Sequence, residues 1–75
     1  MQYSTHLARH FHSIVGNNIH RLRRGKKLTL KKLARETAIF EELLDQYELG
    51  KNELRLRELI KIACILEVEV AELIK

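Results

Sequence analysis

Proline and tryptophan are absent from these 75 residues, aromatics make up only 5%, and there is a single cysteine, Cys64. The shortage of aromatics argues against a sandwich or barrel, whose strands favour aromatic and β-branched side chains, and with no proline nothing interrupts a helix. A lone cysteine makes no internal disulfide. Within LIKIACIL it is expected to pack as a small buried hydrophobe in a reducing compartment. No apolar run approaches the ~20 residues that cross a bilayer. No N-terminal stretch joins a charged start, an apolar centre and a small-residue cleavage site. A soluble, cytoplasmic protein without a membrane association is therefore expected.

Acidic residues are missing altogether from positions 1–27, which hold Arg9, Arg21, Arg23, Arg24, Lys26, Lys27 and the histidines His6, His10, His12 and His20. Positions 28–54 carry more acids than bases, and positions 55–75 balance. The formal net charge of +4 thus resides at one end of the chain, where it favours an anionic partner, nucleic acid or membrane surface. The basic, amphipathic start could lie on an anionic membrane. Its apolar residues Leu7 and Phe11 have a simpler use in extending the core or joining a partner chain.

Catalytic chemistry finds no foothold. No serine, cysteine or aspartate has a plausible base and orienting partner, and a glycine-rich phosphate loop is lacking. His6 and His10 are four residues apart and could share one helical turn. A third metal ligand is missing beside them, as is the glutamate-containing motif of metalloproteases, so they read as solvent-facing. The expectation is a protein that is not an enzyme, with no metal, no cofactor and no small-molecule substrate.

What the chain does have is apolar residues, 45% of the total, at helical spacing. Leu7, Phe11, Ile14, Val15, Ile19 and Leu22 recur in steps of three and four from Thr5 to Arg24, with Ser4 or Thr5 as a cap. Gly16 and Asn17 weaken the middle, which leaves open one long helix or two jointed ones. Gly25, Lys26 and Lys27 suit a helix end. Thr29 is placed to cap a second helix over Leu30–Thr37, with Leu33 and Ala34 inward. A tight connection through Ala38, Ile39 and Phe40 leads to a third helix over Glu41–Leu49, with Leu44 and Tyr47 inward and Gly50 at its end. The stripe Leu56, Leu59, Ile60, Ala63 and Leu66 predicts a fourth helix. Val68 then plugs a turn before a short fifth helix over Val70–Lys75 that buries Leu73. The fold class is all-α, five helices in one domain, with an N-terminal helical extension over 1–15 ahead of the body over 16–75.

That order of signals resembles the phage-repressor and Cro type of helix-turn-helix domain, the xenobiotic-response-element family, from Gly16 to Ile74. The matching residues are Ile19, Leu22 and Arg23; Leu28 and Thr29; Leu33 and Ala34; Ile39; Leu44 and the run Tyr47-Glu48-Leu49-Gly50-Lys51; and Leu59, Ala63, Leu66 and Val68. The resemblance implies a lambda-repressor-like fold in which the second helix crosses the DNA backbone and holds the third in the major groove. It also implies a shielded ion pair between Arg23 and Glu48. Base contacts are implied at Phe40, Glu41, Glu42, Leu43 and Gln46, and phosphate contacts at Thr29, Lys31, Lys32, Lys51, Arg55 and Arg57. Gln46 can bond adenine through its amide, while a glutamate can accept from the amino group of cytosine.

Three positions depart from the family pattern. Leu30 stands where a glutamine usually braces the backbone contact, Phe40 where a small hydroxyl residue caps the third helix, and Glu67 where a glycine ends the fourth. The function implied is a transcriptional regulator, a repressor binding double-stranded operator DNA as a homodimer on half-sites about 34 Å apart. The dimer contact is expected at the leading stem or at the Val68–Ile74 end. The competing reading is a helix-turn-helix module whose acidic and apolar third helix binds a protein.

Overall fold

Helical periodicity fixes where each element lies, and the left-handed residues between elements fix where each stops. The computed structural model describes residues 5–75, with side chains from Leu7 onward. The side chains of Ser4 and Thr5, the alternative caps, and that of His6 lie outside the described residues. Helix α1 spans Thr5–Gly25, α2 Leu30–Thr37, α3 Glu41–Glu48, α4 Leu56–Leu66 and α5 Val70–Leu73, and among the described residues there is no strand. The fifth helix therefore ends two residues before the expected boundary. The Asn18 side-chain amide takes over there, donating to the Leu73 carbonyl at 2.9 Å and the Lys75 carbonyl at 3.3 Å.

α1 is one unbroken helix rather than two jointed ones. Gly16 is buried in it, and the reason is packing: a Cβ at this position would stand 2.3 Å from the Tyr47 carbonyl oxygen of α3. The helix ends at Gly25, where the sequence places a helix end. The left-handed residue is Lys27, at φ 58°, and Leu28 N–H returns to the Arg23 carbonyl at 3.1 Å. Gly25 instead closes the helix proper with open space around it.

The core gathers Val15 and Ile19 from α1, Leu33 from α2, Ile39 from the turn, Leu44 and Tyr47 from α3, Leu73 from α5, and a seam along α4. That seam is Leu59, Ile62, Ala63 and Leu66, the i, i+3, i+4, i+7 set of a single face. Leu56 and Ile60, expected inside, are exposed, and Ile62 takes the place. At about 100° per residue Ile60 and Cys64 lie well round the helix from this seam. Cys64 is accordingly exposed, not buried. Leu7 and Phe11 are also largely exposed, so the α1 stripe enters the core only from its second half. Each fully buried aliphatic side chain contributes about 1.5 to 3 kcal/mol, and a helix as short as α2 or α3 depends on such packing to persist.

Candidate nucleic-acid interface

The unit formed by α2 and α3 is built from local hydrogen bonds upward. Thr29 Oγ1 accepts from Lys32 N–H at 3.0 Å and caps α2. At the other end Thr37 is buried, donates its hydroxyl to the Leu33 carbonyl at 2.7 Å and accepts from Ile39 N–H at 3.4 Å. Ala38 turns the chain in a left-handed conformation at φ 59°, and Ile39 plugs into the core beneath the turn. Ala34 packs partly buried against that core, its small side chain allowing the two helices to approach.

A charged clamp holds α3 to α1. Arg23 Nε donates to Glu48 Oε2 at 2.6 Å and Arg23 Nη2 to Glu48 Oε1 at 3.0 Å, a two-point pair with the side chains 11% and 6% exposed. Arg23 Nη1 also donates to the Leu28 carbonyl at 2.8 Å, so the same guanidinium fixes the approach to α2. His20 Nδ1 lies 2.8 Å from Glu48 Oε1 and joins this cluster. The sequence reading passed over His20, although its position three residues before Arg23 puts both on one helical face. On the opposite flank Tyr47 donates its hydroxyl to Glu58 of α4. Burial, and then that bond to a carboxylate, push the Tyr47 phenol well above its ordinary range.

With its inner face locked, α3 turns its outer face to solvent. Phe40 is 83% exposed, Glu41, Glu42, Asp45 and Gln46 are exposed, and Leu43 is half-buried against the core. An open groove runs from Leu30 along Phe40, Glu42, Leu43 and Gln46. Leu30 packs partly against the core, so it contributes apolar bulk where a glutamine would reach a phosphate. Phe40 makes no side-chain cap, and Glu41 and Glu42 occupy the first turn. Carboxylates in a first turn are favoured by the positive pole of the helix, which gives them a structural role independent of any base. The Gln46 side-chain oxygen accepts from the Asn52 amide in the loop that follows.

The cationic residues expected at phosphates divide into two groups along the chain. Lys31 and Lys32 are exposed at the start of α2, where Lys32 Nζ lies 3.8 Å from Glu36. Lys51, Arg55 and Arg57 are exposed between α3 and the first turn of α4. The Thr29 hydroxyl oxygen is engaged in its cap, leaving its hydrogen as the group able to reach a phosphate. Lys26, outside both groups, pairs with Glu67 at 2.7 Å and holds that carboxyl below its usual range. Glu67 has the left-handed conformation, φ 60°, of the glycine it replaces.

Among the described residues no group of three or more His, Cys, Asp or Glu is placed to hold a metal, and no helix is long and apolar enough to cross a membrane.

The family model described as Helix-turn-helix, HTH_3, matches residues 19–73. No curated protein matches the chain. Among solved structures, an HTH_3 family transcriptional regulator from Vibrio cholerae superposes with a TM-score of 0.83 at 29% identity, over 88% of this chain and 37% of that one. The chain thus spans little more than a third of the length of the Vibrio protein. The restriction-modification controller protein C.AhdI from Aeromonas hydrophila superposes with a TM-score of 0.80 at 26% identity, over 83% of this chain and 94% of that one. The all-α, five-helix order is the lambda-repressor-like fold that the chain shares with C.AhdI. The chain belongs to the HTH_3 helix-turn-helix family, the Cro/C1 type of DNA-binding, non-enzymatic regulator domain.

Proposed function

We propose that this protein is a sequence-specific transcriptional regulator, a repressor that binds operator DNA as a homodimer with α3 in the major groove. One observation carries the reading. Leu44, Tyr47 and Glu48 bury one face of α3, while Phe40, Glu41, Glu42 and Gln46 are exposed on its other side, where base edges would lie. In this reading Gln46, Glu41 and Glu42 bond to bases, and Phe40 and Leu43 touch thymine methyls. Thr29, Lys31, Lys32, Lys51, Arg55 and Arg57 anchor the phosphates and supply much of the affinity. The near-complete overlap with the chain of C.AhdI, a restriction-modification controller protein, supports regulation by a domain of this size. The part of α1 ahead of Gly16 serves as an extension of the domain, and a cytoplasmic location goes with the role.

Homodimerisation gains support from apolar side chains left exposed away from the core. Leu7 and Phe11 on the stem and Ile74 at the C-terminal end are the two expected contacts, and Leu56 and Ile60 add a third apolar strip on α4. The test is selection from random duplexes, followed by affinity measured against salt and by sedimentation of the complex. A preferred, two-fold site bound by two chains is expected. A purified chain that ignores every duplex in dilute buffer ends the proposal.

A second reading rests on Phe40, 83% exposed at the head of a helix carrying Glu41, Glu42 and Asp45. An apolar anchor ringed by carboxylates also suits a basic protein partner. Changing Glu41 and Glu42 to glutamine separates the two. DNA binding with altered site preference supports the regulator, whereas loss of a protein complex with no DNA bound by either form supports the partner.

A further inference from the structure

The contact between Gln46 and Asn52 engages the Gln46 side-chain oxygen, so what this end of α3 offers a base is shared between two residues. Gly50, left-handed at φ 71°, ends α3, Gly50 N–H returns to the Tyr47 carbonyl at 3.1 Å, and Lys51 N–H returns to the Gln46 carbonyl at 2.9 Å. These crossed bonds fold the chain back over the last turn of the helix. A Cβ at Gly50 would also lie 3.0 Å from Ser13 Cα, so α1 fixes the path of the turn from behind. The next residue but one, Asn52, is thereby delivered to the Gln46 side chain and donates its amide to Gln46 Oε1.

We infer that Asn52 and Gln46 act as one reading unit for an adenine in the major groove, with Asn52 as the residue that positions Gln46. The inference rests on α3 being the DNA-reading helix. With Gln46 Oε1 engaged, the pair has Gln46 Nε2 as a free donor and Asn52 Oδ1 as a free acceptor. Adenine offers the complement, an acceptor at N7 beside a donor at N6. Guanine offers two acceptors, so its O6 would oppose the Asn52 oxygen, and cytosine offers a donor alone. Exchanging oxygen and nitrogen in both amides still leaves one donor and one acceptor, so the match to adenine does not depend on which amide donates. Neither amide competes with the Arg23–Glu48 clamp, whose partners are separate.

The experiment takes the preferred duplex selected by the wild-type chain and replaces its adenines one at a time by guanine. The affinities of wild type, Asn52→Ala, Gln46→Ala and the double variant are then compared. Wild type should lose roughly tenfold or more at one adenine. Both single variants should lose most of that discrimination at the same position, and the double variant should be no worse than either. Salt slope and melting temperature should stay at wild-type values. Asn52→Asp, which has no donor, should shift the preference at that position toward cytosine. If wild type selects a site but Asn52→Ala keeps its adenine discrimination, or changes only the salt slope as a phosphate contact would, the inference is overturned and the regulator reading stands. If wild type selects no site, both fall together.

Discussion

Gly16 of α1 lies directly on the Tyr47 carbonyl of α3, so close that a Cβ would come within 2.3 Å of that oxygen and 2.8 Å of the Glu48 carbonyl oxygen. Both obstacles are backbone, which cannot rotate away. Gly16→Ala is therefore expected to push α1 from α3 and lower stability by about 1 to 3 kcal/mol, as overpacking does. Gly25→Ala is the control. Nothing lies within 4 Å of its position, and the gain in helix propensity raises stability by about 0.5 to 1 kcal/mol. Urea melts of the two variants should move in opposite directions.

Removing one partner of the clamp leaves the other charge shielded and unpaired. Glu48→Gln should cost about 3 to 5 kcal/mol, a large part of the stability of a domain this small. A double variant that also replaces Arg23 with methionine should recover much of the loss. Unchanged stability in Glu48→Gln would show that the 2.6 Å pair carries no weight.

Tyr47 predicts an alkaline limit. Burial and the bond to Glu58 raise the proton affinity of its phenol in the folded state. A group whose folded value is raised contributes stability that is complete below its unfolded value, near 10 for tyrosine, and lost as pH climbs beyond it. The unfolding free energy should therefore decline from about pH 10 upward, more steeply in wild type than in Tyr47→Phe. Equal slopes in the two chains would remove Tyr47 as the cause.

Ala38 occupies a left-handed turn, φ 59°, with an exposed side chain. An L-residue there carries about 1 to 2 kcal/mol of strain that glycine relieves, and glycine's greater freedom when unfolded takes back part of that gain. Ala38→Gly should raise stability by about 1 kcal/mol and the melting temperature by several degrees. A lower melting temperature would contradict the strain argument.

The phosphate anchors predict salt dependence. Each true contact removed should reduce the slope of log affinity against log salt by about 0.9, with little change in which site is preferred. Lys31→Ala, Lys51→Ala and Arg57→Ala should each do so. Lys26→Ala should not, because Lys26 is paired with Glu67. A slope insensitive to all of them would move the anchoring surface elsewhere.

Helix order, the Thr29 cap and the inward placing of Leu33, Leu44, Tyr47 and Leu73 were legible in the sequence, because each depends on spacing along one helix or on a residue beside it. The meeting of Arg23 with Glu48 was implied by the family pattern and not by spacing. The missing cap of the third helix was legible too, because Phe40 stands where a small hydroxyl residue is usual, and Glu41 and Glu42 occupy that uncapped first turn.

Tertiary structure alone decided that Ile62 and not Ile60 enters the core, that Cys64 faces out, that Gly16 is a contact point instead of a weak joint, and that Lys27 rather than Gly25 takes the left-handed turn. It also brought His20 to Glu48 and Asn52 to Gln46. The physical reason is common to all of these. A repeating pattern of side chains specifies an angle around a helix axis, but which arc is covered, and by whose backbone or amide, depends on neighbours that are distant in the chain and near only once it has folded.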